Sequence, residues 1–185
     1  SCSLYAQKSS LDEERKVIFM IKRIILHWTA GRYYPSRFEK QYYHYLVDKD
    51  GRIYDGIFKP EDNNDCTDGK YAQHTGGGNT GSIGVAFCSM YGFKSRQNAG
   101  EYPITPIQFE SCMDFCSRLA SKYSLEINQE TVMTHYEFGK RHPKTTSAGK
   151  IDIIYLPPYS WVAKEDVGSF IRSKIRWYKE KHLKG

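Results

Sequence analysis

The sequence predicts an α/β fold of one domain, with a central mixed β-sheet flanked by helices. Three observations predict it. The β-branched apolar run Lys22–Trp28 reads as a buried strand. Two β-type runs, Tyr42–Asp48 and Arg52–Phe58, flank Lys49-Asp50-Gly51, and Asp-Gly between such runs signals a hairpin. A capped amphipathic stretch from Thr105 onward reads as a long helix that packs on the sheet.

The elements follow in order. Residues 1–16 are polar and suit an arm or short helix. Lys22–Trp28 delivers His27 at its end, and Pro35–Gln41 reads as a short helix. After the hairpin, residues 59–80 are rich in Asp, Asn and Gly and read as a long loop ending in Gln73-His74-Thr75-Gly76-Gly77-Gly78-Asn79. Ser82–Cys88 is an apolar run suited to a central strand. A second loop, 89–104, leads to the long helix. There Thr105 and Gln108 form a capping box with Pro106 at the first helical position, and Ile107, Phe109, Cys112, Met113, Phe115, Cys116, Leu119 and Ala120 are spaced for a buried face. Thr131–Thr134 is a short strand ending at His135, and 136–161 reads as a long loop. A basic amphipathic helix over about 164–182 closes the chain, with Val167, Phe170, Ile171, Ile175 and Tyr178 inward.

Composition sets the outer limits. At 185 residues, with 39% hydrophobic and 26% charged, the chain can bury a core without covalent staples, so a single domain over 1–185 is expected. A formal charge of +6 implies attraction to a polyanion, either nucleic acid or an anionic wall or membrane surface. The charges are scattered and no nucleic-acid motif is present, so nucleic acid is not the expected partner. No apolar stretch approaches the roughly 20 residues of a membrane span. The five cysteines form no C-x-x-C pair, and Cys112 with Cys116 reads as two buried thiols on one helical face. Fifteen tyrosines suit a polar groove for sugars or peptides.

His27, His135 and Asp152 are the residues that most suggest chemistry. Neutral imidazole and carboxylate suit Zn²⁺, and three protein ligands with an open fourth position mark a catalytic site. Separations of 108 and 17 residues leave no periodic signature, unlike the one-turn spacing of H-E-x-x-H. Taken singly, each histidine is more often a core or surface residue.

Five segments in register change that weighing: Ile25-Leu26-His27-Trp28-Thr29-Ala30, Tyr43-His44-Tyr45-Leu46-Val47-Asp48-Lys49-Asp50-Gly51-Arg52-Ile53, His74 followed by Asn79-Thr80-Gly81-Ser82-Ile83-Gly84-Val85, Thr134-His135-Tyr136-Glu137, and Lys150-Ile151-Asp152. Over roughly 20–155 the chain resembles the zinc-dependent N-acetylmuramoyl-L-alanine amidase type 2 family. That family includes phage T7-type lysozymes, AmpD-like amidases and peptidoglycan recognition proteins. The resemblance implies that family's fold, a zinc ion held by His27, His135 and Asp152, and catalytic roles for Lys150 and Tyr43. It also implies substrate contacts near Trp28, His74 and Thr75. The AmpD-like glutamate position is Ala86 here, so the pairing of Tyr43 with no glutamate matches the T7-type branch. From the residues alone, Tyr43 equally suits packing in a tyrosine-rich strand, and Lys150 suits a solvated loop charge.

This chain departs from the family pattern in three places. The stretch between His135 and Lys150 is longer than usual, Ile153-Ile154 follow the third ligand instead of proline, and 89–104 looks like an insertion. Glu137 is the nearest alternative ligand. His44 is expected to be structural, His142 and His182 superficial, and Asn79 a support for its loop.

The implied reaction is hydrolysis of the bond between N-acetylmuramic acid and L-alanine, with peptidoglycan or a muropeptide as partner. The implied setting is the periplasm or the extracellular wall, with no stable membrane insertion and a monomeric chain. A non-catalytic recognition module of the same fold is the alternative, and a basic nucleic-acid-binding domain is a third, supported by charge alone.

Overall fold

A computed structural model describes residues 20–185, and the arm expected at 1–16 lies outside them. Five strands form one mixed sheet in the spatial order β3-β2-β4-β1-β5: β1 Arg23–Trp28, β2 Tyr45–Val47, β3 Ile53–Asp55, β4 Ser82–Phe87 and β5 Val132–Thr134. β1 runs parallel to both β4 and β5, and β4 runs parallel to β2. Among the five described strands, only the β2–β3 hairpin pairs antiparallel. The Asp50-Gly51 turn closes it, with Gly51 at φ +85°, where glycine meets no steric cost.

Successive side chains of a strand point to opposite faces, and here that alternation divides core from site. Ile24, Leu26 and Trp28 join Ile83, Val85 and Phe87 in the main core, under the helices α2 Pro106–Lys122 and α4 Val167–Lys184. Ile25 turns the other way, into a small cluster with Met133 and Phe138. His27 shares that second face.

Helix α2 begins as its sequence predicts. The Gln108 amide N–H donates to Thr105 Oγ1 at 3.2 Å, and Gln108 Oε1 accepts from the Thr105 N–H at 3.1 Å. One inward position differs: Ile107 is 59% exposed, whereas Gln108 is fully buried. The reason is hydrogen bonding. Gln108 Nε2 donates to the carbonyls of Val47 and Cys88 at the ends of β2 and β4, which offsets the cost of burying an amide. Cys112 and Cys116 are buried free thiols.

Several expected boundaries shift. The early helix is α1, Glu39–Tyr42, and residues 60–64 within the expected loop form a 3-10 turn. The stretch from 136 is not a loop throughout, because α3 occupies His135–Arg141. Thr134 and Glu137 form a second capping box that starts it. Phe138 buries its ring below, and the next segment returns as irregular chain. The last helix starts at Val167 after a short 3-10 turn, Lys164–Asp166, with Phe170 and Tyr178 only partly buried.

Candidate metal centre

β1 and β5 are parallel neighbours, with Leu26 opposite Thr134. The next residue in each is therefore delivered to the same sheet end. His27 is near the carboxyl end of β1, and His135 is the first residue of α3. Loops at the carboxyl ends of parallel strands are where α/β sheets build sites. The third member comes from further along: the Tyr136 N–H donates to the Asp152 carbonyl at 2.6 Å, which pins that residue beside His135.

The three side chains meet closely. His27 Nδ1 lies 3.2 Å from His135 Nδ1 and 2.9 Å from Asp152 Oδ2, and His135 Nδ1 lies 3.2 Å from the same carboxylate. Proton accounting decides what these atoms offer. Ser147 Oγ donates to the Gly76 carbonyl at 2.7 Å, so it must accept from His135 Nε2 at 2.9 Å. A neutral imidazole carries one N–H, so His135 Nδ1 presents a lone pair.

His27 follows the same logic through two more residues. His74 Nε2 faces the Ser82 carbonyl at 3.2 Å and must be the protonated nitrogen, leaving His74 Nδ1 as acceptor of the Thr75 hydroxyl at 2.7 Å. The Thr75 hydroxyl, its own proton committed to His74, then accepts from His27 Nε2 at 3.3 Å. His27 Nδ1 is left with a lone pair as well. Two lone pairs and a carboxylate converge within 4.8 Å of one another with no donor among them, an arrangement that a cation resolves. Nitrogen and oxygen donors of this kind fit zinc.

The electrostatics agree. Burial lowers the pKa of His27 to about 4, so its ring is neutral at pH 7. His74 is pushed far down by burial and by the neighbouring histidines.

His27 is fully buried, while His135 and Asp152 beside it line an open cleft of about 790 Å³. Lys150 is exposed on its rim, and the Tyr43 ring lies 5.2 Å from the His27 ring. Burial, followed by the nearby Asp152 charge, raises the Tyr43 pKa, so its hydroxyl keeps its proton. Trp28 borders the cleft but is only 4% exposed, packed on Phe93 at 5.0 Å. Phe93 belongs to the 89–104 stretch, which thereby contributes to the cleft wall.

Of the residues expected at substrate, His74 borders the cleft but is only 5% exposed, its ring packed edge-on against that of His27. Thr75 is fully buried, with its hydroxyl turned to the two histidines. Gly84 makes room for this layer, because a Cβ there would lie 2.4 Å from the His74 ring. His44 is buried, accepting from the Gly84 N–H and donating to Asn63 Oδ1, each at 2.9 Å. Asn79 Oδ1 accepts from the Thr75 N–H at 2.8 Å and so holds its loop.

Glu137 is not among the three converging acceptors. It caps α3 and pairs with the Arg172 guanidinium at 3.0 and 3.1 Å. Ala86 pairs with His27 in register, so its side chain shares the face of His27 and offers no acid or base there. Sequence reasoning missed Ser147, a residue in a loop with no periodicity. A serine near a ligand is too common to single out.

A family model described as N-acetylmuramoyl-L-alanine amidase matches residues 18–150, a span that holds His27, His135 and Lys150 and ends two residues before Asp152. No curated protein matches the chain. Among solved structures, the fold is similar to the N-acetylmuramyl-L-alanine amidase AmiD from E. coli, in complex with its substrate anhydro-N-acetylmuramic acid-L-Ala-D-gamma-Glu-L-Lys. That likeness has 18% identity and a TM-score of 0.53, and covers 83% of this chain and 57% of that one. The Staphylococcus aureus hydrolase AmiA in complex with its ligand is similar over 90% of this chain and 75% of its own, at 18% identity and a TM-score of 0.52.

Proposed function

Because the chain belongs to the N-acetylmuramoyl-L-alanine amidase family, we propose that it hydrolyses the amide between N-acetylmuramic acid and L-alanine in peptidoglycan. We assign His27, His135 and Asp152 as its zinc ligands. The observation that carries this reading is the convergence of three proton-free acceptors, two of which line an open cleft. When bound, zinc supplies a Lewis acid that lowers the pKa of a water toward about 7 and polarises a carbonyl.

The chain's own residues do the rest. Thr75 and Ser147 fix the tautomers of His27 and His135, so both rings hold their lone pairs inward. Lys150 places an ammonium where negative charge develops on the carbonyl oxygen. Tyr43, whose hydroxyl stays protonated, donates a hydrogen bond to the attacking water or a proton to the departing nitrogen. With Ala86 beside His27, no carboxylate takes that part. The reaction belongs in the periplasm or the extracellular wall, in lysis or remodelling.

Digestion of purified peptidoglycan, with and without a chelator, tests the reading by product mass. Stem peptides beginning at L-alanine, lost on chelation and restored by zinc, are expected. Intact peptidoglycan in the presence of bound zinc would overturn it in favour of a recognition module.

A further inference from the structure

Beside the cleft lies a second cavity of about 390 Å³ that shares Thr29, Ala30, Tyr42 and Tyr43 with it. Its other walls are Gly31, Ser36, Phe38 and Glu39. Glu39, in the first turn of α1, is the one charged residue among the described residues that line it. Its Oε1 accepts from the Ser36 N–H at 2.8 Å. Its Oε2 has no hydrogen-bond or ion-pair partner among the described residues.

The rest of the cavity suits that free oxygen. Phe38 is 64% exposed and stands one helical turn from Tyr42, with ring centroids 4.8 Å apart. Gly31 keeps the carboxylate in place, since a Cβ there would lie 2.4 Å from Glu39 Oε2. The backbone of Gly31 is not in the left-handed region, so its lack of a side chain matters for space alone.

We propose that this cavity binds a primary ammonium group. A carboxylate with one oxygen already committed cannot grip a guanidinium through both, but it accepts one charged N–H well. An ammonium offers three such donors, and aromatic faces attract the same charge. A neutral hydroxyl would use the oxygen and leave the charge unmatched.

On the substrate proposed above, and resting on that reading, the ammonium is the side-chain amine of the diamino acid in the peptide stem. Cross-linking converts that amine to an amide. The cavity therefore selects stems whose amine is still free, and Glu39 is a specificity-determining residue that touches no reacting atom.

Two ligands test this: the N-acetylated stem tripeptide ending in L-lysine, with its side-chain amine free or acetylated. Calorimetry with the zinc-loaded full chain is expected to show about tenfold tighter binding of the free amine, the lower end for a hydrogen bond to a charged group. Glu39→Gln is expected to bind both within about twofold, as hydrogen bonding to a neutral group allows. Gly31→Ala is expected to do the same, because its methyl would lie 2.4 Å from the flexible end of Glu39, displacing the carboxylate, and 3.1 Å from Thr29 Oγ1.

Equal affinity of the wild-type chain for both ligands would overturn the proposal. So would binding of neither. The two readings fail separately. Amine-dependent binding without release of stem peptides from peptidoglycan retires the hydrolase reading and keeps the pocket. Release that ignores the state of the amine retires only the pocket.

Discussion

Ser147 Oγ lies 2.9 Å from His135 Nε2 while its own proton goes to the Gly76 carbonyl, and this pair of bonds fixes which nitrogen of the imidazole faces inward. Ser147→Ala removes the acceptor and leaves a buried N–H without a partner. Zinc affinity is expected to fall about 10–100-fold, the usual effect of losing a hydrogen bond behind a metal ligand. Competition with a chromogenic chelator measures it. An unchanged affinity would show that Ser147 does not set the tautomer.

Lys150 separates charge stabilisation from metal holding. It is exposed and two residues from Asp152, yet it makes no hydrogen bond to any of the three acceptors. Lys150→Met is expected to lower kcat by about 10²-fold or more, the scale seen when one oxyanion donor is removed. Zinc affinity should change little. A large loss of zinc with unchanged kcat at saturating metal would assign the lysine a structural part instead.

The buried histidines predict acid sensitivity. Burial puts His27 and His44 at about 4 in the folded chain, below the 6.5 of an exposed imidazole. Between those values the unfolded chain binds more protons, so stability rises with pH across that window. The contribution is complete above about 6.5 and is lost as pH falls toward 4. Each histidine contributes on the order of 1.4 kcal/mol per pH unit while its unfolded form is protonated and its folded form is not. Urea midpoints of the chelated protein, measured from pH 7 to 4, should fall accordingly. A flat profile would mean that these rings are protonated in the fold.

The sheet and the long helix were legible because their signals are local. The apolar run Lys22–Trp28, an Asp-Gly turn and the Thr105–Gln108 capping box each act within a few residues. Helix α3 was missed although Thr134 and Glu137 carry the same capping signal, because its seven residues show too little periodicity. The three candidate ligands came into view through the family resemblance, since 108 residues of separation leave no pattern. Thr75 and Ser147 illustrate what stays hidden: each acts through a proton passed to a neighbour fixed only by the folded chain.

Arg172 gives the stability prediction furthest from the cleft. Its guanidinium donates to both oxygens of Glu137 and to the Val132 carbonyl at 3.0 Å, joining α4 to α3 and β5. Both side chains are mostly buried, at 9% and 19% exposure, so removing one leaves the other charge in a place that water reaches poorly. Arg172→Met is expected to cost about 3 kcal/mol, as breaking a buried pair from one side does. Glu137→Gln keeps one acceptor and should cost less.

Tyr43 tests the chemistry most directly, because its hydroxyl separates two parts that a side chain in this position can play. Burial and the Asp152 charge keep it protonated, so at neutral pH it can donate but cannot serve as an anionic base. Its ring packs at 5.2 Å from His27, and phenylalanine preserves that packing. Tyr43→Phe should therefore leave zinc affinity and the urea midpoint nearly unchanged while lowering kcat by about 10²-fold or more, the range for a lost general acid or base. The shape of the pH profile adds a second readout. If the hydroxyl only donates, the wild-type enzyme shows no gain in kcat as the pH rises toward the tyrosine range, and the variant keeps the same limbs at a lower height. A variant with full kcat would reduce Tyr43 to a packing residue, and the proton for the leaving nitrogen would then have to come from Lys150.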